Sequence, residues 1–330
     1  IYTTEDTLSL HDALPINALM MAISAGKAPD VALCVSNNSP VEFAIRKAVL
    51  DLSAFDGFDS VTEDFLPGIL VPFEFENGMY GLPETMNFKV LMYRKDVVSQ
   101  LGIGLPNTWE DLYQDVLPAL YRNNLQFFYP QDFTPFLFQR GGSFYRDGGV
   151  RSGLDAPEAF QAFREYCELY THYGIPVTAS FYNRMRTGEI PMRIAGYPDY
   201  LLLTTAAPEL AGRWGIAPIP GTEKEDGSID RSVGGIAGEA DVILSSTRDA
   251  EAAWSFLSWW LSADVQVDFA REIEAIVGTE ARWNTANIRA FSRLNWKGED
   301  LEVIQSQWAW ARDMENVLGG YFTSRHLNNA

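Results

Sequence analysis

Residues 31–50 constrain the fold most. Val31-Ala32-Leu33-Cys34-Val35 is a short apolar run, with Gly26 and Pro29-Asp30 just upstream. Its length and flanks read as a buried strand. Ser36-Asn37-Asn38-Ser39-Pro40 follows as a polar loop, and 41–50 returns to a helical pattern. Residues 17–26 read as the end of a helix that stops at Gly26. Strand, loop and helix in this order predict an α/β fold. In open α/β sheets ligands bind at loops that follow strand ends, which makes Asn37 and Asn38 candidate ligand contacts.

A second stretch asks for a particular arrangement. In GMYGLPETMNFKVLMYRKDVV, residues 78–98, the apolar run Val90-Leu91-Met92-Tyr93 reads as a buried strand. The polar segment Pro83-Glu84-Thr85-Met86-Asn87 sits directly before it. Either it is a surface hairpin, or it lines a cleft and crosses between two lobes. The 330-residue length suits two domains or one large one. No Pro/Ser-rich tether separates halves, so two lobes would be joined by strands. Trp214–Ile219 and Ala240–Leu244 read as further strands around the turn-rich loop 220–230.

Helix signals are clear at three places. Thr108 is a good N-cap with Asp111 three residues on. Asp155 caps a helix with Pro157 in its first turn and an apolar stripe of Phe160, Phe163, Tyr166, Cys167 and Tyr170. A third helix runs from about Thr247, with Ala253, Trp254, Leu257, Trp260 and Leu261 facing the core.

Composition excludes several classes. Asp+Glu 44 against Lys+Arg 25 gives a net charge of −19, which repels phosphate backbones, so no nucleic-acid partner is expected. No apolar run approaches the roughly 18 residues needed to span a bilayer. Cys34 and Cys167 read as buried free thiols, and the scattered His11, His172 and His326 offer no zinc spacing. No nucleophile elbow, phosphate loop or dinucleotide fingerprint is present. No catalytic residue, metal or cofactor is expected.

Glu84, Asp132 and Asp199 each lie in a proline-bearing loop beside aromatics. Each is a solvated loop residue or a ligand contact. Phe128, Tyr129 and Phe133 surround Gln131-Asp132; Tyr197 and Tyr200 flank Pro198-Asp199; Tyr321 and Phe322 follow Gly319-Gly320. Aromatic faces beside polar groups suit ligands with apolar faces and many hydroxyls, as sugars have. Core packing is the competing reading for these rings.

Six stretches in order resemble the extracellular solute-binding proteins of bacterial ABC importers, the group that includes maltose-binding protein. They are Ala25-Gly26-Lys27-Ala28-Pro29-Asp30-Val31; Tyr80-Gly81-Leu82-Pro83 with Leu91-Met92-Tyr93-Arg94-Lys95-Asp96; Pro106-Asn107-Thr108-Trp109-Glu110-Asp111-Leu112; Thr187-Gly188-Glu189-Ile190-Pro191-Met192; Trp214-Gly215-Ile216-Ala217-Pro218-Ile219-Pro220-Gly221; and Ala252-Ala253-Trp254-Ser255-Phe256-Leu257. The likeness runs over roughly residues 17–330.

The resemblance implies an α/β, type II periplasmic-binding-protein fold. Two lobes would be joined by crossing hinge strands, with the ligand in the cleft between them. It implies a first lobe of 17–84 plus 237–290 and a second of 85–236 plus 291–330. Pro83 would lie at the hinge, with Gly234 and Gly235 on a second crossing. Glu84, Asn87, Asn37 and Asn38 would contact ligand, joined from the second lobe by Asp132, Phe133, Tyr197, Asp199 and Tyr321. A carbohydrate, an oligosaccharide, would be captured by hinge closure and passed to membrane permease subunits. The chain would be a monomer outside the cytoplasmic membrane, periplasmic or a surface lipoprotein.

Two departures point away from a maltodextrin-like ligand. A tyrosine stands at 197 where sugar binders often carry tryptophan, and 36–39 holds asparagines and serines instead of an aromatic. Residues 1–16 resemble translated adapter read-through, and 325–330 stops inside a helical pattern, so the chain reads as a fragment without a visible signal segment. Two alternatives keep the fold: a glycan-active enzyme with paired carboxylates such as Glu84 and Asp199, and a ligand-sensing receptor.

Overall fold

The computed structural model describes residues 18–320. The expectations for Tyr321, Phe322 and residues 1–16 and 325–330 fall outside the described residues. Two sheets are built from β1 (Val31–Val35), β2 (Leu82–Pro83), β3 (Lys89–Arg94), β4 (Phe127–Phe128), β5 (Met192–Gly196), β6 (Trp214–Ala217) and β7 (Ala240–Ile243). The helices that matter below are α1 (Ser39–Ile45), α2 (Pro157–Thr171), α3 (Tyr197–Ala206), α4 (Ala250–Trp260), α5 (Ala263–Val277) and α6 (Gly298–Trp308).

The first sheet has the order β1-β7-β2, antiparallel throughout. The second has the order β6-β3-β5-β4; β3 runs antiparallel to β5 and β6, and β4 runs parallel to β5. Strand β3 is the centre of its sheet. Val90, Leu91 and Met92 are all 0% exposed. A continuous apolar run fits a strand covered on both faces. Helix α6 packs on β3 and β6, and α3 on β5. Each such side chain contributes about 1.5–3 kcal/mol by leaving water.

Four backbone stretches lie together where the two sheet units meet. Residues 84–88 leave β2 and enter β3. Residues 232–239 return from the second unit to β7 and pair with them: Glu84 N–H and Asn87 N–H donate to Glu239 O (2.9 Å) and Ile236 O (2.7 Å). Residues 284–286 pair with 84–86, Met86 N–H donating to Asn284 O (2.9 Å) and Ala286 N–H to Glu84 O (2.9 Å). The fourth stretch, 310–316, was not anticipated from the sequence. It leaves α6, exchanges hydrogen bonds with Val233 (3.1 and 2.8 Å), and reaches the first unit through Asp313 N–H to Gly68 O (3.1 Å). A Cβ on Gly68 would stand 2.1 Å from Ala311 O, so glycine is needed for this close approach.

Several local expectations are corrected. Thr108 and Asp111 do form a capping box. Helix α2, however, is preceded by Ala156, which makes no side-chain cap, and Asp155 pairs with Arg146 instead. The predicted stripe on α2 is also rotated. Phe160 and Phe163 are 65% and 52% exposed, whereas Ala159, Ala162 and Leu169 are buried. The small residues, not the rings, let the helix approach its neighbour. Helix α4 starts at Ala250 with Asp249 as its cap, and its buried residues are Ala253, Trp254 and Leu257. Helix α1 ends at Ile45, short of the predicted 50. Neither cysteine is fully buried: Cys34 is exposed and Cys167 intermediate.

Candidate functional site

The first sheet supplies a cavity beside the crossings. The register of β1 on β7 breaks between Ala32 and Val35. At this bulge Cys34 takes a positive φ of 54°. Bulges commonly re-aim side chains next to binding sites. Beyond it the chain opens into a cavity of about 510 Å³. Its wall includes Cys34, Ser36 and Asn37, then Thr85 from the first crossing, and Ala237 and Glu239 from the second. Small-molecule sites commonly run to roughly 300–1,000 Å³.

Polar groups on this wall are held in place. Asn37 Nδ2 donates to Ala237 O (3.2 Å) and Thr85 Oγ1 accepts from Glu239 N–H (2.9 Å). Asn316, on the fourth stretch, donates through Nδ2 to Asn37 O (2.9 Å) and to Pro72 O (2.8 Å). It thereby ties the loop after β1 to the fourth stretch and to Pro72. A smaller cavity nearby, about 70 Å³, joins Asn38 and Glu42 to Tyr145 and Asn316. Asn37 and Asn38 therefore border two adjoining hollows on either side of one loop.

Glu84 is placed beneath the cavity and not in it. It is 1% exposed. Its Oε1 accepts from Trp260 Nε1 (2.7 Å), and its Oε2 accepts from the Cys34 N–H (3.0 Å) and thiol (2.7 Å). Although the residue as a whole is exposed, partial desolvation where its sulfur meets Glu84, and then that carboxylate itself, push the Cys34 thiol up, so it stays protonated. The Cys34 N–H is also shared with Asp241 Oδ1 (3.1 Å).

Asn87 is half-buried on the first crossing. Its Oδ1 accepts from Phe88 N–H and from Tyr197 N–H, both 2.8 Å, the second at the N-terminus of α3. A Cβ on Gly196 would stand 2.9 Å from that oxygen, so glycine there makes room for the contact. The Asn87 Nδ2 has no partner among the described residues. Tyr197 donates its hydroxyl to Arg282 O and packs edge-on to Phe88 (5.8 Å).

Asp132, Phe133 and Asp199 make contacts within the second unit. Asp132 pairs with Lys89 and accepts from Thr134 N–H (3.0 Å). Phe133 packs edge-on to Phe144, Phe163 and Tyr166, which favours core packing for this ring. Asp199 pairs with Arg193 (3.1 Å). Burial raises the Asp199 pKa against the pull of Arg193, and burial lowers that of Arg193. Pro83 lies in β2 opposite Ala240. Gly235 has φ +68°, and Lys89 Nζ would be 3.3 Å from its Cβ; a Cβ on Gly234 would meet Thr134 at 2.6 Å.

With Glu84 held by Trp260 and Cys34, and Asp199 by Arg193, the two carboxylates have separate structural partners. No cluster of three or more His, Cys, Asp or Glu that could hold a metal exists among the described residues.

The model of the family described as bacterial extracellular solute-binding protein matches residues 11–267. The chain belongs to this family. Among solute-binding proteins, a maltotriose-binding protein of Pyrococcus abyssi (strain GE5 / Orsay) is 26% identical over 255 residues, covering 74% of this chain and 53% of the relative. The chain thus spans about half the length of that curated relative. Two solved solute-binding proteins share its fold. The cyclic alpha-maltosyl-1,6-maltose binding protein of Arthrobacter globiformis superposes with a TM-score of 0.73 at 18% identity, over 93% of this chain and 79% of that one. The sugar-binding protein MalE of Xanthomonas citri does so with 0.72 at 20%, over 92% and 78%. The fold is that of MalE-type periplasmic binding proteins, two α/β lobes, as the sequence motifs implied.

Three groups beside the crossings of this solute-binding protein were missed from sequence. They are Asp313, Asn316 and Asp241. Only Asp241, a charged residue inside the apolar strand pattern 240–244, carried a readable signal.

Proposed function

We propose that this chain captures a carbohydrate outside the cytoplasmic membrane and delivers it to the permease of an ABC import system. The lobes are taken as 17–84 plus 237–290 and 85–236 plus 291–330, and ligand binding closes one on the other about the crossings. The observation that carries this reading is the cavity of about 510 Å³ at the end of β1, walled by both crossings and bordered by Asn37 and Thr85. Neutral amide and hydroxyl groups of this kind suit a hydroxyl-rich ligand. The P. abyssi relative and the two solved proteins are sugar binders by name.

In this reading Asn37, Asn38, Thr85 and Asn316 contact the sugar from the first lobe and hinge. Asn87 Nδ2, Tyr197 and the Lys89–Asp132 pair border the opposing side. Glu84 supports from behind. The cavity is sized for an oligosaccharide of a few rings. The chain works as a monomer. No helix among the described residues is long and apolar enough to cross a membrane. Calorimetry against mono- and oligosaccharides, with peptides and polyamines alongside, tests the ligand class. Binding of peptides or polyamines without any sugar overturns it.

A further inference from the structure

Glu84 and Asp241 meet behind the cavity wall in an arrangement that the binding of a neutral sugar does not require. Asp241 is 0% exposed in β7 and Glu84 is 1% exposed at the end of β2. Both accept from the same Cys34 N–H, at 3.0 Å to Glu84 and 3.1 Å to Asp241. The second Asp241 oxygen, Oδ2, is buried with no partner. The charged groups around the pair are all acidic: Glu84 itself, and Glu239 two residues before Asp241 in the chain. The Cys34 thiol faces Glu84 from β1, and α4 contributes only the neutral Trp260 indole. No ion pair among the described residues includes either carboxylate.

Two bare carboxylates cannot share one N–H donor in a dry site without strong repulsion. A proton on Asp241 Oδ2 removes the second charge. It also supplies the donor that the orphaned oxygen lacks, with Glu84 as acceptor. We infer that Glu84 and Asp241 hold a single proton between them, and that this pair is the positioning element that fixes the Cys34 bulge and so presents Ser36 and Asn37 to the ligand. Burial, with the charge of Glu84 next, raises the Asp241 pKa well above the carboxylate range in agreement with this arrangement. The inference rests on the proposed sugar site only for what the loop presents, not for the shared proton.

The sign follows from linkage. The folded pKa of Asp241 exceeds its unfolded value of about 3.9. Its contribution to stability is complete below that unfolded value and is lost as pH rises through the folded one. Asp241→Asn mimics the protonated acid: Oδ1 still accepts from Cys34, and Nδ2 donates to Glu84. Asp241→Ala removes both.

The full chain and both variants are compared between about pH 4 and 9 by thermal unfolding and by amide exchange at 34–37. The wild type should lose Tm and lose protection at 34–37, taken relative to the intrinsic exchange rate at each pH, toward alkaline pH. Asp241→Asn should flatten both slopes and keep the loop protected. Asp241→Ala should raise exchange at 34–37 by about tenfold or more at every pH, with the second sheet unaffected. Maltotriose affinity, measured in parallel, should follow loop protection. An Asp241→Asn variant with the wild-type alkaline slope, or an Asp241→Ala variant with a protected loop, overturns the inference. If no saccharide of a panel that includes maltotriose binds to any of the three, the ligand reading fails, while the exchange and unfolding results still decide the shared proton.

Discussion

Asp313→Ala probes how the crossings are fastened. Asp313 is 7% exposed on the fourth stretch. Its carboxylate accepts the Ile236 N–H (3.0 Å) and the Ala237 N–H (2.5 Å) of the second crossing. Its own N–H donates to Gly68 O (3.1 Å) in the first unit. A hydrogen bond to a charged group is worth about 1.5–3 kcal/mol net, and a buried donor left without a partner costs about 1–3 kcal/mol. Burial raises the Asp313 pKa against the pull of these amides and of Lys89, so desolvation offsets part of the gain. The net loss for Asp313→Ala is then about 3 kcal/mol, near the lower end for removing one member of a buried charged network. At about 2–4 °C per kcal/mol, Tm falls by about 6–12 °C. Scanning calorimetry of the ligand-free chain gives the value. Spin labels on the two lobes should show a broader spread of separations in the same variant. An unchanged Tm with an unchanged spread would refute the idea that Asp313 clasps the hinge.

Other substitutions separate support from contact. Asn87→Ala removes the acceptor for Tyr197 N–H at the start of α3 and should cost about 1 kcal/mol, as cap losses do. Asn87→Asp keeps that acceptor and loses the free Nδ2 donor, so sugar affinity should fall in calorimetry while Tm holds. Trp260→Phe keeps the ring against Phe269 (5.0 Å) and deletes the 2.7 Å donation to Glu84; chemical denaturation should show a loss of about 1.5–3 kcal/mol. Gly235→Ala places a Cβ on a left-handed residue at φ +68° and should destabilise by about 1–2 kcal/mol, visible as a lower midpoint in urea.

Much of this architecture was legible because it is local. The Val90–Met92 run announced a buried strand, while the polar residues before it left a hairpin and a crossing open until the family resemblance pointed to the crossing. Gly235 betrayed its left-handed turn simply by being glycine. What stayed hidden depends on partners distant in sequence. Arg312-Asp313-Met314-Glu315-Asn316 carries no motif, yet Asp313 reaches residues 76 and 77 positions away and becomes buried. Glu84 was singled out as a candidate ligand contact, and no local signal shows that Trp260 and Cys34 occupy its oxygens. The α2 stripe misled because large aromatics outweighed Ala159 and Ala162, although small residues allow the closest helix approach. Asp132, Phe133 and Asp199 stand in loops rich in proline and aromatics, and their partners Lys89, Phe144 and Arg193 within the same unit were not legible locally.

The central claim is that the cavity between β1 and the crossings holds a carbohydrate. Titration calorimetry of the chain with maltotriose and a panel of other saccharides, repeated on Asn37→Ala, tests it most directly. The account predicts saturable one-to-one binding of at least one saccharide, and in Asn37→Ala a marked weakening of binding with a stability loss no larger than the about 0.5–1.5 kcal/mol of its hydrogen bond to Ala237 O. Saccharide binding that is indifferent to Asn37, or binding of peptides or polyamines in place of any saccharide, would contradict it.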